Sequence, residues 1–243
     1  MTGNPKRELW LAWWTMVVFY QLFGLVFFVI TRTQPPPSPA WDTAHKVQWF
    51  HDHHHGLLIG FAIMFVITGM TAPINALIAY SMRRMSVSPV FGYTYLVIYS
   101  LSAIPGMLLL CLALTAGAMR PDRDPELIGW LYDFAFLSFV GTMGVFLIGS
   151  LIWMLAILID KNNVLPKWFG YLNLCNALTE IVVSPAWIFD RGGVLSWNGI
   201  IAWWVNMVVF GIYTGAFIVL LRKMIQREDF GTGVLPPLAG VAA

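Results

Sequence analysis

Apolar residues run through this chain in long blocks separated by short polar intervals, and the blocks recur about every 35 to 40 residues. A run of some 18 or more apolar residues is long enough to cross the hydrocarbon of a bilayer as a helix. The pattern predicts spans at about 10–31, 56–81, 90–118, 127–158, 167–189 and 197–222. The intervals carry chemistry that stops helices. "TRTQPPPSPAWD" ends the first span, because consecutive prolines cannot continue a helix and favour extended chain. "RPDRDPE" separates the third from the fourth, "DKNNVLPK" the fourth from the fifth, and "DRGG" the fifth from the sixth. With no internal repeat and no separate soluble stretch, residues 1–243 read as one all-α, polytopic transmembrane bundle.

Composition agrees with the pattern. The chain is 58% apolar and 11% charged, whereas a soluble domain carries roughly 25% charge. The bilayer is therefore its first partner. The net charge of +2 comes from short connections and leaves no nucleic-acid footprint. The opening "MTGNPKRELWLAWW" has the basic flank of a signal peptide. Its apolar run continues to Ile30 without a small-residue cleavage site, so it reads as a retained first span. Cys111 and Cys175 sit inside apolar stretches and read as buried small hydrophobes.

Orientation follows from counting Lys and Arg. With both termini cytoplasmic, the inner side holds nine: Lys6, Arg7, Arg83, Arg84, Lys161, Lys167, Arg222, Lys223 and Arg227. The outer side holds five: Arg32, Lys46, Arg120, Arg123 and Arg191. That bias obeys the positive-inside rule, and the expected location is the inner (cytoplasmic) membrane. Trp10, Trp13, Trp14, Trp168, Trp187 and Trp197 lie near span ends, where interfacial anchors are expected.

Polar side chains inside spans mark sites, because each costs energy in hydrocarbon and normally turns toward the bundle interior. In "WFGYLNLCNALTEIVVSPAWIF", Asn173, Asn176 and Glu180 are spaced by three and four and share a helical face. Ser184 and Trp187 are expected to continue that stripe. Glu180 lies roughly 18 Å along the helix from Trp168, at a depth where a carboxyl favours its neutral, proton-donating form. The competing reading is a neutral carboxyl acting as glue between helices. Asp133 in the fourth span is expected at a similar depth, where it would complete an acid and base pair with Glu180. The sixth span adds Trp197, Asn198, Trp203, Trp204 and Asn206, and Gln21 and Asn75 are further polar positions. Pro73, Pro105 and Pro185 interrupt spans two, three and five, as residues that kink helices and open cavities do.

"HKVQWFHDHHHGLLIG", residues 45–60, holds all five histidines. His51 and His55 would share a helical face, as two zinc ligands can. No second His or Cys cluster completes a set, and bis-histidine haem is disfavoured because the histidines come from one segment. The stretch reads as a polar interfacial start of the second span. His51, Asp52, His53 and His55 are placed at a pocket mouth or proton-exchange surface, with no metal or cofactor assigned.

"RPDRDPE", "PKWFGYLNL" and the "WNG" heading the last span together resemble an uncharacterised six-span bacterial membrane-protein family of actinobacteria and proteobacteria. Asp133, Asn173, Trp197, Asn198 and Gly199 match that pattern best. The dense histidine run departs from it, since the family carries a tyrosine, an aspartate and mixed polar residues there. A looser likeness is to membrane isomerases and cyclases of sterols and terpenoids, helical bundles with a lipid-accessible cavity, buried acids and aromatic walls. This chain holds twelve Trp, seventeen Phe and eight Tyr, and aromatic faces stabilise cations.

These readings converge on an enzyme for a small apolar, isoprenoid-like substrate, working by isomerisation, cyclisation, or hydration and dehydration. Glu180 would be the acid and Asp133 its proton partner. Trp197, Trp203 and Trp204 would stabilise the cation, while Asn173, Asn176, Asn198 and Asn206 would orient the substrate. A proton-coupled small-solute transporter or channel is the main rival. A non-catalytic subunit of a membrane complex is the other, and a homo-oligomer is compatible with all three.

Overall fold

The computed structural model describes residues 5–102, 104–140, 143–188 and 192–228, and among them every regular element is helical. In chain order these are α1 (Pro5–Ile30), α2 (Thr43–Arg83), α3 (Val90–Met119), α4 (Pro125–Ile159), α5 (Lys167–Val183) and α6 (Ile200–Arg227). Five of them, all but α5, are long and apolar enough to cross a membrane. At 17 residues α5 is shorter than the others, and Asn173, Asn176 and Glu180 lower its hydropathy as well. A 3₁₀ turn, Ser184–Trp187, extends α5. The expected end of that span at 189, and Arg191 beyond it, lie outside the described residues.

Each helix packs on the next, and α6 returns to α1, so the six close into a ring. The Trp13 indole N–H seals that last contact by donating to the Ile218 carbonyl at 2.9 Å. Large apolar side chains such as Leu11, Val66, Val97, Val208 and Ile188 face outward and are exposed. A soluble protein rarely tolerates that; a hydrocarbon solvent requires it.

The observed α2 begins well before the expected position 56. Asp42 caps it, its carboxylate accepting the His45 backbone N–H at 2.8 Å. Lys46, Trp49, Phe50 and Leu57 then form a buried face, so "HKVQWFHDHHHG" is amphipathic helix. At 1.5 Å per residue α2 is about 60 Å long, twice a hydrocarbon layer of roughly 30 Å. A short 3₁₀ stretch at Thr68–Met70 breaks it, just before Pro73, which has no N–H to donate. Near its middle, α2 lies almost on the end of α1. A Cβ at Gly56 would strike the Ile30 carbonyl, and one at Gly60 the Thr31 methyl.

The segment "TRTQPPPSPAW" is likewise no solvated linker. Thr31, Thr33 and Gln34 are buried. The Trp197 indole N–H donates to the Pro37 carbonyl at 2.7 Å, and the Tyr132 hydroxyl to the Ser38 carbonyl at 3.0 Å. The segment forms a strap across one end of the ring. Trp13 and Trp197, expected at the interface, are therefore core residues, whereas Trp14, Trp168 and Trp187 are exposed. Cys111 is buried as expected, but Cys175 is exposed.

The opposite end is a knot centred on Asp160, which is buried. Its Oδ1 accepts the Ser86 N–H at 2.7 Å, the Ser86 hydroxyl at 3.1 Å and the Asn162 N–H at 2.9 Å. Its Oδ2 accepts the Val164 N–H at 2.9 Å. The Lys167 ammonium meanwhile donates to the carbonyls of Ile157, Leu158 and Asp160. Beside this knot, Arg84 pairs with the buried Glu228 carboxylate at 2.7 Å.

Candidate functional site

The ring encloses a cavity of about 280 Å³ to which all six helices and the strap contribute. Its size falls at the lower edge of small-molecule sites. Aromatic rings make most of the wall, among them Phe19, Tyr95, Tyr99, Trp197, Trp203 and Phe210. Polar groups are few: Glu180 and Asn176 from α5, Asn206 from α6, Asn75 and Thr71 from α2, and Gln34 from the strap.

Glu180 is the one acid among the described lining residues. It reaches the cavity because α5 repeats every 3.6 residues, which places it one turn beyond Asn176 on the same side. Among the described residues its carboxylate has no hydrogen-bond or ionic partner. Asn176 is fixed by donating to the Ser150 hydroxyl at 3.1 Å, while its Oδ1 is buried and unpaired. Gln34 is only 5% exposed, yet neither its Oε1 nor its Nε2 has a protein partner. Buried amide groups are nearly always paired, so these atoms depart from the usual pattern, as does the buried Oδ1 of Asn173.

The other expected site residues divide clearly. Trp197, Trp203 and Asn206 line the cavity with Glu180 and Asn176. The π-helical Ile200–Val205 stretch that opens α6 carries Trp203 inward and leaves Trp204 exposed to the outside. Asn173 is fully buried but donates to the Phe169 carbonyl at 2.8 Å within its own helix and does not line the cavity. Asn198 accepts from the Ser196 hydroxyl at 2.8 Å and supports the start of α6. Ser184 and Trp187 are exposed, since the tighter 3₁₀ turn rotates them off the stripe. Gln21 is exposed as well.

Asp133 does not meet Glu180. Both of its oxygens accept from Lys46 Nζ at 2.7 Å, and the same ammonium lies 5.2 Å from the centre of the Tyr132 ring. The helical start of α2 brings Lys46 into the bundle, and an ion pair across α2 and α4 satisfies the aspartate. Pairing this acid with Glu180 was an expectation from depth alone, and depth does not fix which wall a side chain faces.

The histidines do not line the cavity either. His51, His54 and His55 border a separate surface hollow with Arg120, Asp122 and Arg123. His51 Nε2 is 3.6 Å from the Asp122 carboxylate, and His54 Nδ1 donates to the Ala118 carbonyl at 2.5 Å. His53 stacks on Trp49 and bonds to its carbonyl at 2.8 Å, while Asp52 accepts from Gln48 at 2.8 Å. Among the described residues no group of three or more His, Cys, Asp or Glu is arranged to hold a metal ion. At Asp42, the His45 backbone N–H, followed by the bond from the His45 ring, holds the carboxyl below its ordinary value.

Gln34 is the functional candidate that pattern reading missed. Its prolines mark an irregular segment, but the segment carries only one charge between Thr31 and Trp41, a composition that suits burial. No protein-family model, no curated protein and no solved structure matches this chain.

Proposed function

We propose that this is a six-span enzyme of the cytoplasmic membrane that rearranges a small apolar, isoprenoid-like substrate by proton transfer. Both termini lie in the cytoplasm on this reading, and the strap faces outward. The observation that carries the proposal is one unpaired carboxyl on a mostly aromatic cavity within a ring of apolar helices. A carboxyl there is a proton donor, and the surrounding ring faces favour the cation that protonation creates.

With Asp133 engaged by Lys46, Glu180 serves as both acid and base. Its O–H bond breaks as the proton joins one carbon of a substrate double bond, leaving a carbocation facing Trp197 and Trp203. The Glu180 carboxylate then removes a proton from a neighbouring carbon, and those electrons form the new double bond. The carboxyl is restored and nothing but substrate is consumed. Isomerisation, or cyclisation ended by proton loss, follows this cycle directly.

The test incubates the purified protein with terpenoid alcohols and sterols in deuterium oxide and analyses products by mass spectrometry. Rearranged product carrying solvent deuterium is expected from the parent and absent from Glu180→Gln. Turnover that survives this substitution would remove Glu180 from the role. Accumulation of unchanged substrate inside proteoliposomes would favour transport instead.

A further inference from the structure

The histidine-rich start of α2 takes no part in the cavity, yet three of its five rings converge on one hollow. His54 and His55 lie three and four residues after His51, so the three share a helical face, while His53 turns away to stack on Trp49. The start of α2 meets the end of α3 closely: a Cβ at Gly117 would overlap the Phe50 ring. The contact brings the three rings against Arg120, Asp122 and Arg123. His54 is anchored on the Ala118 carbonyl and carries the His55 ring edge-on at 4.7 Å. Among the described residues, neither arginine has a carboxylate within ion-pair distance. Asp122 lies beside His51, and the next acid, Asp124, caps α4 by accepting the Glu126 N–H at 2.8 Å. Two guanidinium groups against one carboxylate make the hollow repel cations and attract anions.

We infer that this hollow holds the phosphate of an anionic glycerophospholipid. Arg120 and Arg123 present forks of N–H donors that match phosphate oxygens, and the His51 and His55 rings can add a donor each. The surface leading away from the hollow favours a lipid over free phosphate. Met119 lines the hollow and is 63% exposed. Leu112, two turns back along the same face of α3, is 54% exposed. Ile59, one turn beyond His55 on α2, is exposed as well. Both helices therefore carry apolar side chains from the phosphate position into the hydrocarbon, a track for acyl chains. The α3 span itself ends at Met119, the level at which headgroups begin. This site is independent of Glu180 and of the reading given to the cavity.

The experiment uses the full chain in detergent micelles, with retained lipid counted by native mass spectrometry. Phosphatidylglycerol is titrated against phosphatidylcholine of equal chain length, whose ammonium the two arginines oppose, and inorganic phosphate is the soluble competitor. The parent should retain one phosphatidylglycerol at concentrations at least about tenfold lower than phosphatidylcholine, as a pair of charge-assisted bonds predicts. Arg120→Gln combined with Arg123→Gln should abolish that preference. Arg83→Gln, which removes a charge at the other end of the bundle, should leave it intact. Should the double variant fail to fold, each single substitution is read in the same way. Equal retention of the two lipids, an unchanged preference in a folded variant, or the same loss from Arg83→Gln would each overturn the inference. Displacement of the lipid by inorganic phosphate at matched concentration would assign the hollow to free phosphate and overturn the lipid.

Discussion

The two ends of the ring treat their polar groups in opposite ways. At the Asp160 end, one buried carboxylate receives four donors from two connecting segments, and Lys167 returns three bonds to the end of α4. Along the cavity, both amide atoms of Gln34 and the Oδ1 of Asn176 have no protein partner in a mostly aromatic wall that also carries Glu180. Both arrangements bury polarity, but only a satisfied group contributes to the native state. The knot is therefore read as structure, and the cavity as the candidate site on which the proposed function rests.

The largest test of this contrast is Glu180→Gln. Loss of general acid–base catalysis should lower turnover by about 10² to 10⁴, with a melting temperature no lower than the parent's. A variant that unfolds while the parent is stable would move Glu180 to the structural side. Asp160→Ala should behave in the opposite way. Four orphaned donors should cost roughly 3–5 kcal/mol of stability, read from unfolding in mixed micelles. Any turnover in the fraction that stays folded should be near the parent's.

Between these extremes lies Trp197, which both lines the cavity and ties the strap through Pro37. Trp197→Phe keeps an aromatic face and removes one hydrogen bond, so a loss of about 1 kcal/mol is expected. The strap contributes Gln34 and Pro36 to the wall, so substrate binding should weaken more than the catalytic rate. Equal effects on both would detach the strap from ligand recognition.

The smallest expected effect is at Asp42, which caps α2 beyond the strap. Its folded carboxyl titrates below the ordinary carboxylate value of about 3.9. It therefore stabilises the first turn above that value, and the contribution is lost as pH falls through the lowered one. Hydrogen exchange at His45 should accelerate across that acid window. Asp42→Asn should keep the cap and lose the pH dependence, while exchange near Asp160 follows its own course. Coordinated opening at both ends would show that they are one cooperative unit.

Much of the fold was legible in the chain itself. Apolar blocks and their proline, glycine and charged interruptions located the helices closely for α3 and α4. They also pointed to helices able to cross a membrane, because hydrocarbon length and the cost of exposed backbone depend only on local composition. The shared face of Asn176 and Glu180 was legible for the same reason, as helical periodicity is a property of one segment.

What required tertiary structure was everything set by a partner distant in sequence. Asp133 looked like a catalytic acid until Lys46, 87 residues earlier, proved to hold it. The histidine run was read as the polar start of the second span, but the buried face of Trp49 and Phe50 shows the helix beginning earlier, at Thr43, and the histidines bordering a hollow apart from the cavity. Gln34 looked like linker until the Pro37 and Ser38 carbonyls accepted bonds from Trp197 and Tyr132. A sequence determines which side chains are costly to bury and the local face they share. Only the packing of segments distant in sequence decides which of those costs are met within the protein.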